Sequence, residues 1–169
     1  NDRVDVSHFS NERVPVSLGI LLDTSGSMTP DKMSSARGAI ERFIRMLGED
    51  DEMFLARFAN VPEMVQGWTK DRRLLARALD SLYAGGGTAM YDGIADALPM
   101  AQRGKNRKKA IVVISDGNDT SSATTPRELK EMIRQSEVLV YAIGVDGRLR
   151  VTGSDPYGLD SDGNGVGCE

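Results

Sequence analysis

The chain predicts a three-layer α/β sandwich on a mainly parallel sheet with one antiparallel edge strand. Three observations predict it. Apolar runs of strand length alternate with helically spaced segments, in the order strand, helix, strand, strand, helix, helix, strand, helix, strand. Two of the runs, Val16 to Leu22 and Ala110 to Ser115, are almost continuously apolar, as strands covered on both faces are. One short turn, Asn60-Val61-Pro62, joins two strand-like runs and so makes that pair antiparallel.

The elements follow in order. Residues 1–12 hold a leading strand, Val4 to Phe9, by its alternation of Val4 and Val6 with polar neighbours. The main domain spans residues 13–146. Its first strand is Val16 to Leu22. Thr29-Pro30 then supplies an N-cap and a first-turn proline, and Met33, Ala36, Ile40, Phe43, Ile44 and Leu47 recur at helical spacing until Gly48. Met53 to Phe58 and Glu63 to Trp68 are the second and third strands. Leu74, Leu75, Ala78, Leu79 and Leu82 form the stripe of a second helix, broken by Gly85-Gly86-Gly87. Thr88 opens a third helix through Ile94, Leu98 and Ala101, which Pro99 kinks or shortens. Ala110 to Ser115 is the fourth strand. Thr125-Pro126-Arg127-Glu128 is a capping box before Leu129, Met132 and Ile133, and Val138 to Val145 is the fifth strand. Residues 147–169 form an Asp/Gly-rich tail without a core of its own.

Composition narrows the function. With 169 residues, 40% hydrophobic and 27% charged, the chain has length enough for one domain with a core. No apolar run approaches the ~20 residues of a membrane span, and the polar, mixed-charge N-terminus does not read as a signal peptide. A net charge of −4 argues against nucleic acid, and the basic run Arg103 to Lys109 reads as a solvated loop before a buried strand. One cysteine, Cys168, and one histidine, His8, are too few for a Cys/His zinc cage, and no GxSxG elbow pairs His8 with a serine. The methionines Met33, Met90, Met100 and Met132 read as core fillers, and Met28 and Met64 as exposed rim residues.

The chemistry concentrates in Asp23-Thr24-Ser25-Gly26-Ser27, at the end of the first strand. A carboxylate and two hydroxyls at alternate positions are hard oxygen ligands of the kind Mg²⁺ takes. A plain Asx/ST turn that caps a helix fits the same residues when they are taken alone. Thr88 follows the triple glycine and Asp116 ends the fourth strand. Loops after adjacent parallel strands meet at one sheet edge, so Asp23, Ser25, Ser27, Thr88 and Asp116 converge on one place where such sheets bind ligands. Asp92 reads instead as a first-turn helix carboxylate and Asp119 as a turn residue.

Asp23-x-Ser25-x-Ser27, Gly86-Gly87-Thr88 and Ile114-Ser115-Asp116-Gly117, in this order and on these elements, resemble the metal-ion-dependent adhesion site of von Willebrand factor type A domains of bacterial type. The resemblance implies a Rossmann-like fold and a Mg²⁺ (or Mn²⁺ or Ca²⁺) held by those five residues. It further implies binding, without catalysis, of a protein that presents Asp or Glu, in an extracellular, periplasmic or cell-surface setting. It also marks a departure. Such domains continue past the fifth strand with helix, strand and helix, and the residues after Val145 are not expected to supply them. The fifth strand is then expected as an exposed edge, open to pairing or swapping with another chain. The tail instead carries Asp160-x-Asp162-x-Asn164-Gly165 and Cys168-Glu169. These resemble part of the Excalibur calcium-binding motif, which implies a second Ca²⁺ site at Asp160, Asp162, Asn164 and Glu169; a plain Asp/Gly loop fits them equally.

Two rival functions remain. A haloacid-dehalogenase-like phosphatase needs Asp-x-Asp after the first strand, and Ser25 stands at the second position. An assembly domain with a vestigial metal site shares the motif and differs only in metal binding.

Overall fold

The computed structural model describes residues 13–117, 119–145, 149–150 and 166–167. The predicted leading strand, His8 and the tail residues Asp160, Asp162, Asn164 and Glu169 lie outside the described residues. Strand β1 (Val16–Asp23) leads into helix α1 (Pro30–Met46). Strands β2 (Glu52–Phe58) and β3 (Pro62–Thr69) follow, then helices α2 (Arg72–Asp80) and α3 (Met90–Gln102). Strand β4 (Lys108–Ser115), helix α4 (Pro126–Ser136) and strand β5 (Leu139–Gly144) complete the alternation. Two two-residue strands come last, β6 (Leu149–Arg150) and β7 (Val166–Gly167).

The sheet runs in the order β3-β2-β1-β4-β5-β6-β7. Strand β1 pairs parallel with β2 and with β4, and β4 pairs parallel with β5. Strand β3 is the antiparallel edge that the short turn predicts. The α/β class and mainly parallel sheet are therefore as the sequence reads.

Alternation along β1 sends Leu18, Ile20 and Leu22 to one face, where they pack with Met33, Ala36, Ile40 and Ile44 of α1 and with Leu75 and Leu79 of α2. Leu21 points to the other face, among Phe54, Phe58, Ile111 and Val113 and the apolar side of α3. Gly19 fills a specific role there. A Cβ at Gly19 would stand 2.4 Å from Phe54 Cζ, so the missing side chain makes room for the Phe54 ring. That ring meets Trp68 edge-on, with centroids 4.8 Å apart at 85°.

Several expectations change. Strand β5 is not the sheet edge, because β6 pairs antiparallel with it through Ala142↔Arg150 and Ile143↔Leu149. What β5 leaves open is a face: Leu139, Tyr141 and Ile143 are 48%, 37% and 39% exposed. Helix α3 runs through Pro99 to Gln102 without stopping there. Met28 is buried in the α1 core rather than exposed at a rim, because the turn Met28 N–H to Ser25 O, 3.1 Å, folds it inward. Met132 lies on the outer side of α4 and is exposed, not a core filler, whereas Met33 is buried and Met64 exposed as expected.

Candidate metal centre

The C-terminal ends of β1 and β4 are neighbours in the sheet, with Leu22 opposite Ile114. The loops leaving them therefore share one edge, and the loop between α2 and α3 is stitched to the same place. Gly85 N–H donates to Thr24 O at 2.8 Å and Gly26 N–H to Gly86 O at 2.9 Å. Gly86 sits at φ +91°, a conformation that favours glycine, and a Cβ there would also meet Asn60 Nδ2 at 2.9 Å. Asn60 in turn accepts from Gly87 N–H through Oδ1 at 2.6 Å. Gly86 and Gly87 are thus required by close contact with the Asn60 and Ser121 side chains, whereas a Cβ at Gly85 would meet nothing.

Four of the five predicted residues form one chain of hydrogen bonds. Asp23 is fully buried. Its Oδ1 accepts from Ser25 N–H at 2.7 Å and its Oδ2 accepts from the Ser115 hydroxyl. The Ser25 and Ser27 hydroxyls are 3.0 Å apart, and Ser27 Oγ donates to Asp116 Oδ1 at 2.8 Å. Thr88, the fifth, is buried and held by its backbone. Its N–H donates to Thr120 Oγ1 at 3.1 Å, and its carbonyl accepts from Thr120 N–H at 2.9 Å and Ser121 N–H at 3.2 Å. The Thr88 hydroxyl itself makes no hydrogen bond to any described residue. Asp116 is held below the usual carboxylate range. Burial pushes its pKa up, but the Lys32 ammonium and the Ser27 hydroxyl bonded to it outweigh that push.

The donor set suits a small hard cation. Two carboxylates and three hydroxyls are all oxygen ligands, and Ser27 spends its proton on Asp116 while its lone pairs stay available. The Thr88 hydroxyl, with no hydrogen bond to any described residue, keeps its lone pairs available. Among the described residues no three His, Cys, Asp or Glu side chains gather as a metal site. Any ion here would rely on hydroxyls as much as on carboxylates.

Asp92 and Asp119 do different work. Asp92 lies in the first turn of α3, as expected, but its carboxylate also accepts from Ala123 N–H at 2.9 Å and Thr124 N–H at 2.8 Å. Asp119 Oδ2 accepts from Tyr91 N–H at 2.9 Å, and the Ser122 hydroxyl accepts from Asp92 N–H at 3.0 Å. Thr88 does not cap α3. The helix N-cap is Ala89, which has no side-chain acceptor, and these loop residues satisfy the free N–H groups in its place. The reciprocal bonds fasten the loop after β4, and so Asp116, to the helix that follows Thr88.

Sequence reasoning missed Lys32. Its ammonium bonds Asp116 Oδ2 and donates to Ser27 O at 3.3 Å. The signal was available. Helical side chains lean toward the helix N-terminus, so a long cation in the first turn of α1 reaches back over the preceding loop. A lysine there also opposes the helix dipole, which asks for a local reason. Ser115 lies within the Ile114-Ser115-Asp116-Gly117 motif, but its bond to Asp23 follows only from the pairing of β1 with β4.

A family model of the von Willebrand factor type A domain matches residues 17–159. The chain belongs to this family. A protein of Synechocystis, sll0103, is 30% identical over 112 residues, covering 64% of this chain and 27% of that protein. The structure resembles the von Willebrand factor type A protein from Catenulispora acidiphila, with a TM-score of 0.65 and 26% identity over 78% of this chain and 33% of that one. It also resembles the vWF domain of the type V pili tip protein Mfa5 from Porphyromonas gingivalis, with a TM-score of 0.59 and 26% identity, over 63% of this chain and 39% of that one. The chain spans well under half the length of the curated relatives it matches. No described helix of this type A domain is long and apolar enough to cross a membrane.

Proposed function

We propose that this type A domain is a non-catalytic protein-binding module whose top edge takes a divalent cation, Mg²⁺ foremost, and engages an acidic side chain of a partner protein. One observation carries the reading: Asp23, Ser25, Ser27 and Asp116 are joined in a single hydrogen-bonded chain, and the loop bonded to it through Gly85 and Gly86 carries a Thr88 hydroxyl with no partner among the described residues. Ser25, Ser27 and Thr88 would hold the ion through hydroxyl oxygens. Asp23 and Asp116 would orient those hydroxyls and balance charge, directly or through water. A cation bound there supplies an open position that a partner carboxylate can fill. The buried base of the site, where Ser115 and the Ser25 amide grip Asp23, keeps the donors fixed as the partner arrives.

The pilus-tip relative supports an adhesive role and an extracellular, periplasmic or cell-surface setting. Calorimetric titration with Mg²⁺ and Mn²⁺ tests the reading. The wild type is expected to bind one ion, and Thr88→Val, which keeps the shape and removes the hydroxyl, to bind it at least about tenfold more weakly. Equal affinity in the two proteins, or none in the wild type, would leave the assembly-domain alternative standing. For the tail, Ca²⁺ binding at Asp160, Asp162, Asn164 and Glu169 is a separate proposal. It predicts a second Ca²⁺ equivalent that Asp160→Ala and Asp162→Ala together remove.

A further inference from the structure

We propose that Lys32 is a tethered competitor for the cation, and that it sets how tightly the site takes an ion. The inference rests on the cation-binding reading above and goes beyond it. It starts from where the ammonium stands. Lys32 Nζ bonds Asp116 Oδ2 and reaches Ser27 O at 3.3 Å, while Ser27 Oγ donates to the other oxygen of the same carboxylate at 2.8 Å. Both oxygens of Asp116 are therefore engaged, one by a hydroxyl and one by a positive charge. The Asp116 side chain is 1% exposed and that of Lys32 is 40% exposed. The Asp116 side chain is thus held in place, while the Lys32 side chain remains partly open to solvent.

An ion and an ammonium compete for such a carboxylate for two physical reasons. They share the same acceptor atoms, so an ion drawing on Asp116 must weaken or replace a charge-assisted hydrogen bond. They also repel one another, and at a few ångströms from a buried group that repulsion is poorly screened. Lys32 is placed for this by the backbone rather than by chance contact. Thr29 caps α1 by accepting from Lys32 N–H, Pro30 starts the first turn, and the side chain leans back over the loop that carries Ser25 and Ser27. The same contact supports the fold when no ion is bound, because it neutralises a carboxylate that burial would otherwise penalise. Lys32 acts through Asp116 and Ser27 and is a positioning residue.

Calorimetric titration of Mg²⁺ and Mn²⁺ into the wild type, Lys32→Met and Lys32→Arg tests this, with thermal unfolding in EDTA alongside. Lys32→Met, which keeps the apolar stem, is expected to bind both ions about tenfold more tightly, and Lys32→Arg to stay within about threefold of the wild type. In EDTA the Met variant should melt below the wild type, and added Mg²⁺ should raise its Tm by more. A purely structural lysine could not produce tighter ion binding together with a weaker ion-free fold. Unchanged or weaker affinity in a folded Lys32→Met variant, with the wild type binding, overturns the role of Lys32 and leaves the cation site intact. No ion binding by any of the three overturns both. Should the Met variant fail to fold, Lys32→Gln is carried through the same titration with the same expected direction.

Discussion

The Ser27 hydroxyl donates to Asp116 Oδ1 at 2.8 Å across 89 positions of sequence. This bond fixes the hydroxyl proton on the carboxylate side and turns the Ser27 lone pairs toward Ser25. It also makes Asp116 the joint between the two loops that carry the site. Asp116→Ala is therefore expected to release Ser27 and Lys32 together. The checkable outcome is loss of Mg²⁺ binding by calorimetry, with the far-UV circular dichroism of the wild type retained, since β4 ends one residue earlier at Ser115. Mg²⁺ affinity preserved in that variant would remove Asp116 from the site.

Asp23 behaves differently because it is buried and doubly bonded. Asp23→Ala leaves the Ser25 N–H and the Ser115 hydroxyl without their acceptor. Each unsatisfied buried donor costs about 1–3 kcal/mol, so this variant is expected to lose both ion binding and several degrees of Tm. Asp23→Asn keeps an acceptor oxygen in place and should lose ion binding with a smaller fall. Urea unfolding of both variants in EDTA separates the two effects. Equal stability in all three proteins would show that the hydrogen bonds to Asp23 carry no weight in the fold.

Much of this was legible in the chain before folding, and the reason differs from residue to residue. Asp23, Ser25 and Ser27 sit on one loop, so their convergence needs only local spacing. Asp116 needed the added rule that loops after parallel neighbours share an edge, and the β1–β4 pairing supplies that condition, whereas Thr88 lies between two helices and is brought there by the bonds of Gly85 and Gly86 to the first loop. The Thr125–Glu128 capping box is local too and forms as its spacing demands, with both reciprocal bonds present. What could not be read was set by distant partners. Met28 is drawn into the core by a turn closing on Ser25. The α3 N-terminus, without a cap of its own, borrows Asp119 and Ser122 from thirty residues away. The fate of β5 depended on β6, a strand too short to show any period.

The loop after β4 should loosen in acid. Asp92 is held below the usual carboxylate range, foremost by its bond with the Thr124 side chain; burial pushes it up, and the Ala123 and Thr124 amides add to the lowering. Its folded pKa lies below its unfolded one, so its contribution is present above the ordinary value of about 3.9 and is lost as pH falls through the lowered value. Asp92→Ala is expected to reduce stability at pH 7 by about 1 kcal/mol and to reduce it progressively less as the pH falls below about 3.9. Urea midpoints measured across that range give the difference. An equal deficit at both ends would mean that charge on Asp92 is not what holds Ala123 and Thr124.

Gly19 is expected to be intolerant of a single methyl group. A Cβ would come within 2.4 Å of Phe54 Cζ and 2.8 Å of Cε1, and Phe54 is itself fully buried. The ring cannot withdraw without disturbing its edge-on contact with Trp68. Gly19→Ala should cost about 1–3 kcal/mol, the range of an overpacked core, and should shift the fluorescence of the single tryptophan. A variant of wild-type stability and spectrum would show that the sheet gives way more easily than this packing implies.

The last prediction concerns the open face of β5. Leu139, Tyr141 and Ile143 lie opposite Ala110, Val112 and Ile114 in register, so they prolong the α1-side apolar surface of the sheet beyond the part that the helices cover. Alternate residues of a strand share a face, and three partly exposed apolar side chains in a row make a contiguous patch rather than isolated exposures. Val140 and Ala142 point the other way and pack on the α3–α4 core, so they hold the strand while its neighbours stay open. Replacing Leu139, Tyr141 and Ile143 together by serine should lower Tm by several degrees, because about half or more of each residue is buried even though the face is open. The same replacement should abolish most of the binding of the dye ANS to the wild-type protein. Dye binding that survives the replacement would mean that ANS reads another surface and that this face is not an open apolar patch.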